Sequence, residues 1–390
     1  MRFRFNEIHL QNVLSFGPDS PALTLENLNV FIGPNGSGKS NLLEVINLLR
    51  CCPSSIAKPI RETGGIGYWV WKGIEGTIAQ LSIQCTYLDI AAPVRHDLGL
   101  AGLHQQMEVA NERIGYARPT GKEFPFYLNN GNGAEIFLST RVPELAARRI
   151  SAQAIKNNES ILSQRKAPDE YPEVTKLGVF YQQIQMYREW SVGRGSLLRR
   201  PHPADLPNDF LSEKLDNLGL VLNRIGKSPK SKKRLIENLR KLYNGIDDYH
   251  VDIAANHVQV FLTEGDFTIP ATRLSDGTLR YLCLLAILCH PEPPPVICIE
   301  EPEIGLHPDI LPAIADLLKL ASEKSQLFVT THSDILVDAL TDTPQSIVVC
   351  EKENGSTTMK RLEPEKLSEW LEKYRLGELW MKGEIGGNRW

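Results

Sequence analysis

Apolar and polar residues alternate at the start of the chain through Phe3, Phe5, Ile8 and Leu10, the period of a half-buried strand. An apolar run, LNVFIG at 28–33, ends in glycine-rich sequence, after which Leu42, Val45, Ile46 and Leu49 recur at helical spacing. Strand, loop and helix follow one another. TIAQLSIQCTYL, 77–88, alternates again and predicts a strand that closes a first lobe, 1–90. From 91 to 250 the pattern predicts a mainly helical insertion, broken by RPTGKEF and by the proline-rich RRPHPADLPNDF at 199–210. It shows neither an internal repeat nor sustained heptads, so a compact insertion is expected rather than a coiled-coil arm. Strand character returns at HVQVFLTEG, 257–265. LSDGT, 274–278, leads into LRYLCLLAILC, a helix apolar almost all round and therefore expected to be buried. VICIE (296–300), QLFVTT (326–331) and SIVVCE (346–351) read as strands, the first two separated by a helix near 309–322. This alternation predicts an α/β fold with a mainly parallel sheet in a second lobe, 251–350. The stretch 351–390, ending in LGELWMKGEIGGNRW, predicts no mechanism.

Composition narrows the class. At 390 residues, 42% hydrophobic and 23% charged, the chain is an ordinary globular sequence, long enough for one elaborated domain or two lobes. No apolar stretch reaches the length of a membrane span, and MRFRFNEIHL lacks the apolar core of a signal peptide, so a cytoplasmic protein is expected. Seven cysteines occur without a CxxC pair, mostly within apolar runs, and read as buried reduced thiols. Cys51 and Cys52 are adjacent, yet no nearby histidine or second pair supports a metal or redox site. A net charge of −4 argues against a uniformly basic nucleic-acid binder and leaves room for a local patch. One such patch is 224–241, where Arg224, Lys227, Lys230, Lys232, Lys233, Arg234, Arg240 and Lys241 face the single acid Glu237. It reads equally as a solvated helix face or as a contact with DNA phosphates.

GPNGSGKS, 33–40, fits G-x-x-x-x-G-K-[ST] between a predicted strand and a predicted helix, the context that motif requires. Gly33, Gly36 and Gly38 let successive backbone N–H groups turn onto phosphate oxygens, with Pro34, Asn35, Ser37 and Asn41 completing the loop and its helix entry. Lys39 is expected on the β- and γ-phosphates and Ser40 on Mg²⁺. Beside such a loop, IEEPEIGLHP (299–308) gains meaning. Glu300 ends an apolar strand and is the candidate Mg²⁺ anchor, Glu301 the candidate base for the attacking water, and Glu303 a structural residue entering GLHP. TTHSD (330–334) ends the next strand, and its His332 reads either as structural or as a group within reach of a γ-phosphate. Ser275 and Asp276 read as helix caps, or Ser275 with the Gly277 backbone as a second phosphate-binding helix N-terminus.

Phosphate loop, LSDGT, VICIEE and TTHS, in that order, resemble the motif set of ABC-type ATPases. LNVFIGPNGSGKSNLLEVINLL and EEPEIGLHP with TTHS look most like the SMC-like branch, which includes RecF-type repair ATPases and the ATPase modules of OLD-family and related antiphage systems. The resemblance spans 1–90 and 255–350. It implies an ABC-type P-loop head with an antiparallel β subdomain, ATP and Mg²⁺ as cofactors, Lys39 and Ser40 as phosphate and Mg²⁺ residues, Glu300 at the Walker B acid, Glu301 as base and His332 as switch histidine. It also implies a homodimer gated by nucleotide, in which Ser275 and Gly277 close on ATP bound by the other subunit. Three departures stand out. Glu300 occupies a position usually held by Asp, and Asp276 and Thr278 stand where transporters carry Gly and Gln, so Asp276 is expected to turn away as a helix cap. No clear Q-loop glutamine appears, Gln80 and Gln84 being candidates by location only.

The function this implies is an ATP-hydrolysing sensor or motor in DNA repair or antiphage defence. Only about forty residues follow SIVVCEKENG, too few for a Toprim nuclease domain, so the effector, a nuclease or otherwise, is expected to be a separate protein. The alternatives are the ATPase subunit of a membrane transporter, against which the long insertion and LSDGT argue, and a scaffold that binds ATP but hydrolyses it slowly.

Overall fold

The inward residues of the amino-terminal strands decide the first sheet. In Ala79–Thr86 every second side chain is buried, and Arg4–Gln11 pairs antiparallel with it. A register shift between Phe5 and Glu7 lets the pairing switch parity, which is why Phe5 lies on one parity and Ile8 and Leu10 on the other, all three buried. The alternation expected through Phe3, Phe5, Ile8 and Leu10 is therefore interrupted once, at this shift.

The computed structural model describes residues 3–74, 76–86, 92–103, 106–117, 125–131, 134–136, 148–150 and 155–387. The chain forms two units: Met1–Ile184 with Val348–Leu362 and Gly386–Trp390, and Gln185–Ile347 with Glu363–Ile385.

In the first unit the antiparallel sheet runs in the order Leu23–Thr24, Arg4–Gln11, Ala79–Thr86, Val94–Leu103, Gln106–Tyr116, Tyr127–Asn129, Ala134–Ile136, Arg148–Ile150. The expectation of helix from residue 91 onward is thus wrong over Val94–Leu103 and Gln106–Tyr116, which are two long strands. The cause is chemical. Two buried positions of these strands are His96 and Glu112, hydrogen-bonded to each other at 3.1 Å, with Ser160 Oγ and the Ile161 N–H also donating to Glu112. Two polar residues on the inward face hide the period-2 signal, and mutual hydrogen bonding makes their burial tolerable. The RPTGKEF break, 118–124, lies outside the described residues. The strand Leu28–Ile32, buried throughout, lies beside Ile347–Glu353, which pairs antiparallel with Ser356–Arg361. Helix Lys39–Cys51 buries Leu42, Leu43, Val45, Ile46, Leu48 and Leu49, as its spacing predicts.

In the second unit Gln185–Tyr187, Val296–Glu300 and Gln326–Thr330 form parallel neighbours. Helix Asp276–Leu288 is buried continuously from Leu279 to Leu288, as its composition required. Leu311–Ser322 is the amphipathic helix between the two strands Val296–Glu300 and Gln326–Thr330. A smaller antiparallel sheet contains His202–Pro203, Asp248–Ala254, His257–Glu264 and Phe267–Pro270. The basic segment forms two helices, Leu218–Gly226 and Pro229–Leu242, because Pro229 cannot donate into a preceding turn and instead opens the second helix. The carboxy-terminal stretch is structured too: Ser356–Arg361 is strand, and Pro364–Leu371 and Leu376–Lys382 are helices. Among the described residues no helix is long and apolar enough to cross a membrane.

Candidate functional site

The loop at 33–40 belongs to the first unit. Gly33, Gly36 and Gly38 have φ of +145°, +78° and +98°, where a side chain is strained, so the glycines are dictated by backbone geometry. Two of them are also sterically required. A Cβ on Gly33 would collide with the Cys350 carbonyl of the neighbouring strand, and one on Gly38 would meet Thr357 and Ser15. The tip is open: Asn35 and Gly36 are exposed, and nothing lies within 4 Å of a Cβ built on Gly36. Gly38 then caps helix Lys39–Cys51. Lys39 is 6% exposed and donates to the carbonyls of Gly33 at 2.8 Å and Pro34 at 3.0 Å, so its ammonium ties the two ends of the loop together. Ser40 is exposed in the first helical turn, while Ser37 Oγ is buried without a hydrogen-bond partner, an orphaned donor inside an anion-shaped loop. Pro34 begins the tip. Asn41 does something else. Its amide donates to Ser15 Oγ at 2.7 Å, and Thr357 Oγ1 donates to the same hydroxyl at 2.7 Å, so Asn41 braces the helix entry from behind. These donors fit the phosphates of a nucleotide.

The strand-end residues lie in the second unit. Glu300 accepts a hydrogen bond from Arg188 Nε at 2.9 Å on Oε2, and its carbonyl accepts from Trp190 Nε1 at 3.0 Å. Glu301 has φ +48°, a left-handed backbone that a glutamate adopts only at a cost of about 1–2 kcal/mol. Its N–H donates to the Thr330 carbonyl at 3.0 Å, its carbonyl accepts from Arg280 Nη2 at 3.2 Å, and its carboxylate lies 3.5 Å from His332 Nε2. Glu303 holds the histidine's backbone: Oε1 accepts from the His332 N–H at 2.8 Å and from Thr331 Oγ1 at 2.7 Å. The expected structural role of Glu303 is thereby made specific. Arg280 is 5% exposed, with its guanidinium 4.8 Å from the Trp190 ring centroid. Burial pushes it down to about 10, with Glu303 the main opposing charge.

LSDGT enters helix Asp276–Leu288. Ser275 is the N-cap, its Oγ accepting from the Thr278 N–H at 3.1 Å. Asp276 is not the cap that was expected. It sits in the first turn and forms an ion pair with Arg199, whose Nη1 also donates to the Leu274 carbonyl at 2.6 Å. Gly277 is closely packed: a Cβ there would lie 3.1 Å from the Gly305 carbonyl, so helix Asp276–Leu288 begins against GLHP.

The two Q-loop candidates are both accounted for in the antiparallel sheet: Gln84 donates to Glu7 at 2.7 Å and Gln80 pairs in register with Gly99. Arg188 and Trp190 reach Glu300 at the end of strand Val296–Glu300. Of the basic residues, Arg224 is paired with Asp209 and Glu292, Lys232 with Asp248, and Lys233 with Glu237, whereas Lys227 and Lys230 are exposed and Arg234 half-exposed. All seven cysteines are free thiols and only Cys51 is less than fully buried. Among the described residues no group of three or more His, Cys, Asp or Glu is placed to hold a metal alone. The Ser40 hydroxyl and the Glu300 carboxylate are each oxygen donors of the kind Mg²⁺ takes, one or two at a time beside phosphate and water.

A glycine loop between a buried strand and a helix, a parallel strand ending in adjacent glutamates, and a serine-capped helix are parts of the fold of an ABC-type, SMC-like head. The chain belongs to the family described as "AAA domain, putative AbiEii toxin, Type IV TA system", whose model matches residues 28–77 and 188–338. Among solved structures it is similar to an Smc head bound to the C-winged helix domain of ScpA, with a TM-score of 0.58 and 15% identity, covering 93% of this chain and 99% of that one. An Smc head domain with an extended coiled coil, bound to the C-terminal domain of ScpA from Pyrococcus furiosus, gives a TM-score of 0.55 and 14% identity over 95% of this chain and 99% of the other. At these identities the likeness shows the fold. No curated protein matches the sequence significantly.

Proposed function

We propose that this protein binds and hydrolyses ATP as a homodimer gated by nucleotide, and that closure signals to a separately encoded effector in defence against foreign DNA or in DNA repair. The phosphate loop, 33–41, takes the nucleotide, with Lys39 on its phosphates, while Ser40 and Glu300 are the oxygens offered to Mg²⁺. Glu301 accepts a proton from water, His332 is the switch histidine beside it, and Ser275 and Gly277 complete the site of a second copy. Mg²⁺ supplies charge neutralisation at the phosphates when bound. The observation that carries hydrolysis is the pairing of Glu301, on a strained backbone, with His332 at 3.5 Å. The family description names a toxin of a type IV system, which favours the defence reading, and the Smc heads it resembles were solved with a domain of ScpA, which favours a protein partner. DNA contact through Arg224, Lys227, Lys230, Lys232, Lys233 and Arg234 rests mainly on Lys227, Lys230 and Arg234, which make no ion pair among the described residues.

The test is ATP turnover and gel filtration of wild type, Lys39→Ala and Glu301→Gln with ATP and Mg²⁺. Glu301→Gln is expected to accumulate as an ATP-bound dimer with little turnover, and Lys39→Ala to bind no ATP. A Glu301→Gln protein that hydrolyses like wild type, or stays monomeric with ATP bound, refutes the reading. One observation favours the slow-hydrolysing scaffold as a second reading: Arg188 sits on the carboxylate assigned to the metal. Turnover below about one per minute in the wild-type dimer, far under the usual enzyme range, would select it.

A further inference from the structure

The strand Gln185–Tyr187 runs parallel to Val296–Glu300 with Tyr187 opposite Ile299, so Arg188, just after the first strand, and Glu300, the last residue of the second, meet at the same end. The contact is built on both sides. Arg188 Nε donates to Glu300 Oε2 at 2.9 Å, Trp190 Nε1 donates to the Glu300 carbonyl at 3.0 Å, and the Trp190 ring carries the buried Arg280 guanidinium. The pair is partly shielded, with side-chain exposures of 26% for Arg188 and 17% for Glu300. An oxygen lone pair engaged by a guanidinium N–H is not available to a metal ion, and a guanidinium a few ångströms away repels a divalent cation on either oxygen. Nothing in the sequence marked Arg188. It follows the strand that neighbours Walker B, and its partner is 112 positions away.

We propose that Arg188 is a competitor for the divalent cation at Glu300, so that the segment 188–190 sets the metal concentration at which the site becomes active. The inference rests on the reading of Glu300 as metal anchor and deepens it. It also gives a reason for a glutamate where this position usually holds aspartate. The extra methylene adds a rotatable bond, which lets one carboxylate pass between Arg188 and a metal ion without moving the strand. Arg188 is a positioning residue here, acting on the metal through Glu300.

The experiment is titration of the full-length protein with Mn²⁺ in the presence of a non-hydrolysable ATP analogue, bound metal being read by electron paramagnetic resonance. Wild type, Arg188→Gln, Arg188→Lys and Glu300→Gln are compared, with thermal melting of each. Arg188→Gln is expected to bind Mn²⁺ about tenfold more tightly than wild type, an effect of one nearby positive charge in a partly shielded site. Arg188→Lys, which keeps the charge, is expected to stay near wild type, and Glu300→Gln to bind about tenfold more weakly. A merely structural role for Arg188 does not tighten metal binding. If Arg188→Gln binds Mn²⁺ no better than wild type while Glu300→Gln binds worse, the competitor role is refuted and the anchor stands. If Glu300→Gln is indistinguishable from wild type, both fall. Arg188→Met carries the same expectation and replaces Arg188→Gln should that variant fail to fold.

Discussion

Glu303 lies between the proposed base and the switch histidine, and removing it isolates what positioning contributes. Its Oε1 accepts from Thr331 Oγ1 at 2.7 Å and from the His332 N–H at 2.8 Å, and Thr331 Oγ1 in turn accepts from the Ser333 N–H at 3.0 Å. One carboxylate thus fixes three consecutive residues of the TTHS turn. Hydrogen bonds to a charged acceptor contribute about 1.5–3 kcal/mol each, and water entering the space left by alanine recovers part of that. Glu303→Ala is therefore expected to loosen the turn by about 2–3 kcal/mol, and Glu303→Gln, which keeps one oxygen for both donors, by about 1 kcal/mol. Arg280 adds to the loss, since Glu303 is the main charge opposing the burial that pushes its guanidinium down to about 10. Because the chain has two units, a single unfolding free energy is poorly defined and a local probe is needed. Hydrogen exchange at the His332 amide supplies one: at 1.4 kcal/mol per tenfold, protection should fall about 30- to 150-fold in Glu303→Ala. ATP turnover should drop at least about tenfold while ATP affinity holds, because the phosphate loop is untouched. Unchanged His332 protection, or a loss of ATP affinity matching the loss of turnover, would refute the argument.

Two further expectations follow from backbone geometry and from burial. Gly33→Ala places a methyl against the Cys350 carbonyl at φ +145°, so it should destabilise the first unit by about 2 kcal/mol or more and abolish nucleotide binding; Gly36→Ala, at φ +78° with open space around it, should cost about 1–2 kcal/mol through its backbone alone, a contrast visible in paired melting curves. Burial holds the His202 and His290 imidazoles below the ordinary histidine value. The unfolded chain then takes up protons before the folded one does, so the stability these residues carry is present above about pH 6.5 and is lost as pH falls below it. Melting temperatures of wild type from pH 7.5 to 5 should decline, and the double variant His202→Gln, His290→Gln should flatten that slope; an unchanged slope would assign the acid sensitivity to other groups.

What was legible in the sequence is what is contiguous in it. The phosphate loop is eight consecutive residues between a buried strand and a helix, and its three glycines are the ones whose φ is positive. Glu300 and Glu301 are legible as the end of an apolar strand. The arginines were not legible, because each acts across the fold: Arg188 on Glu300, Arg199 on Asp276 and Arg280 on Glu301 span 112, 77 and 21 positions. The strands Val94–Leu103 and Gln106–Tyr116 are illegible for a related reason. A hydrophobic period cannot register a buried histidine and glutamate that hydrogen-bond to each other, and only the paired strands reveal why they are inside. Likewise Gly277 looks like a turn residue in isolation, and its close approach to the Gly305 carbonyl is seen only in the fold.

The three carboxylates of IEEPEI would repel one another if treated alike, and the structure separates them by partner. Glu300 faces a guanidinium, Glu301 a histidine, and Glu303 two neutral donors that lock that histidine in place. The left-handed backbone at Glu301 is what permits the separation. Its N–H still reaches the Thr330 carbonyl of the neighbouring strand, as a strand residue would, while its carbonyl turns to Arg280 and the chain leaves the sheet at Pro302. A glycine would adopt this conformation without strain, yet it would carry no carboxylate. Strain of about 1–2 kcal/mol retained at one residue, in a segment whose neighbours are each held by a charged or buried partner, is the pattern expected when the side chain is needed there for chemistry rather than for folding.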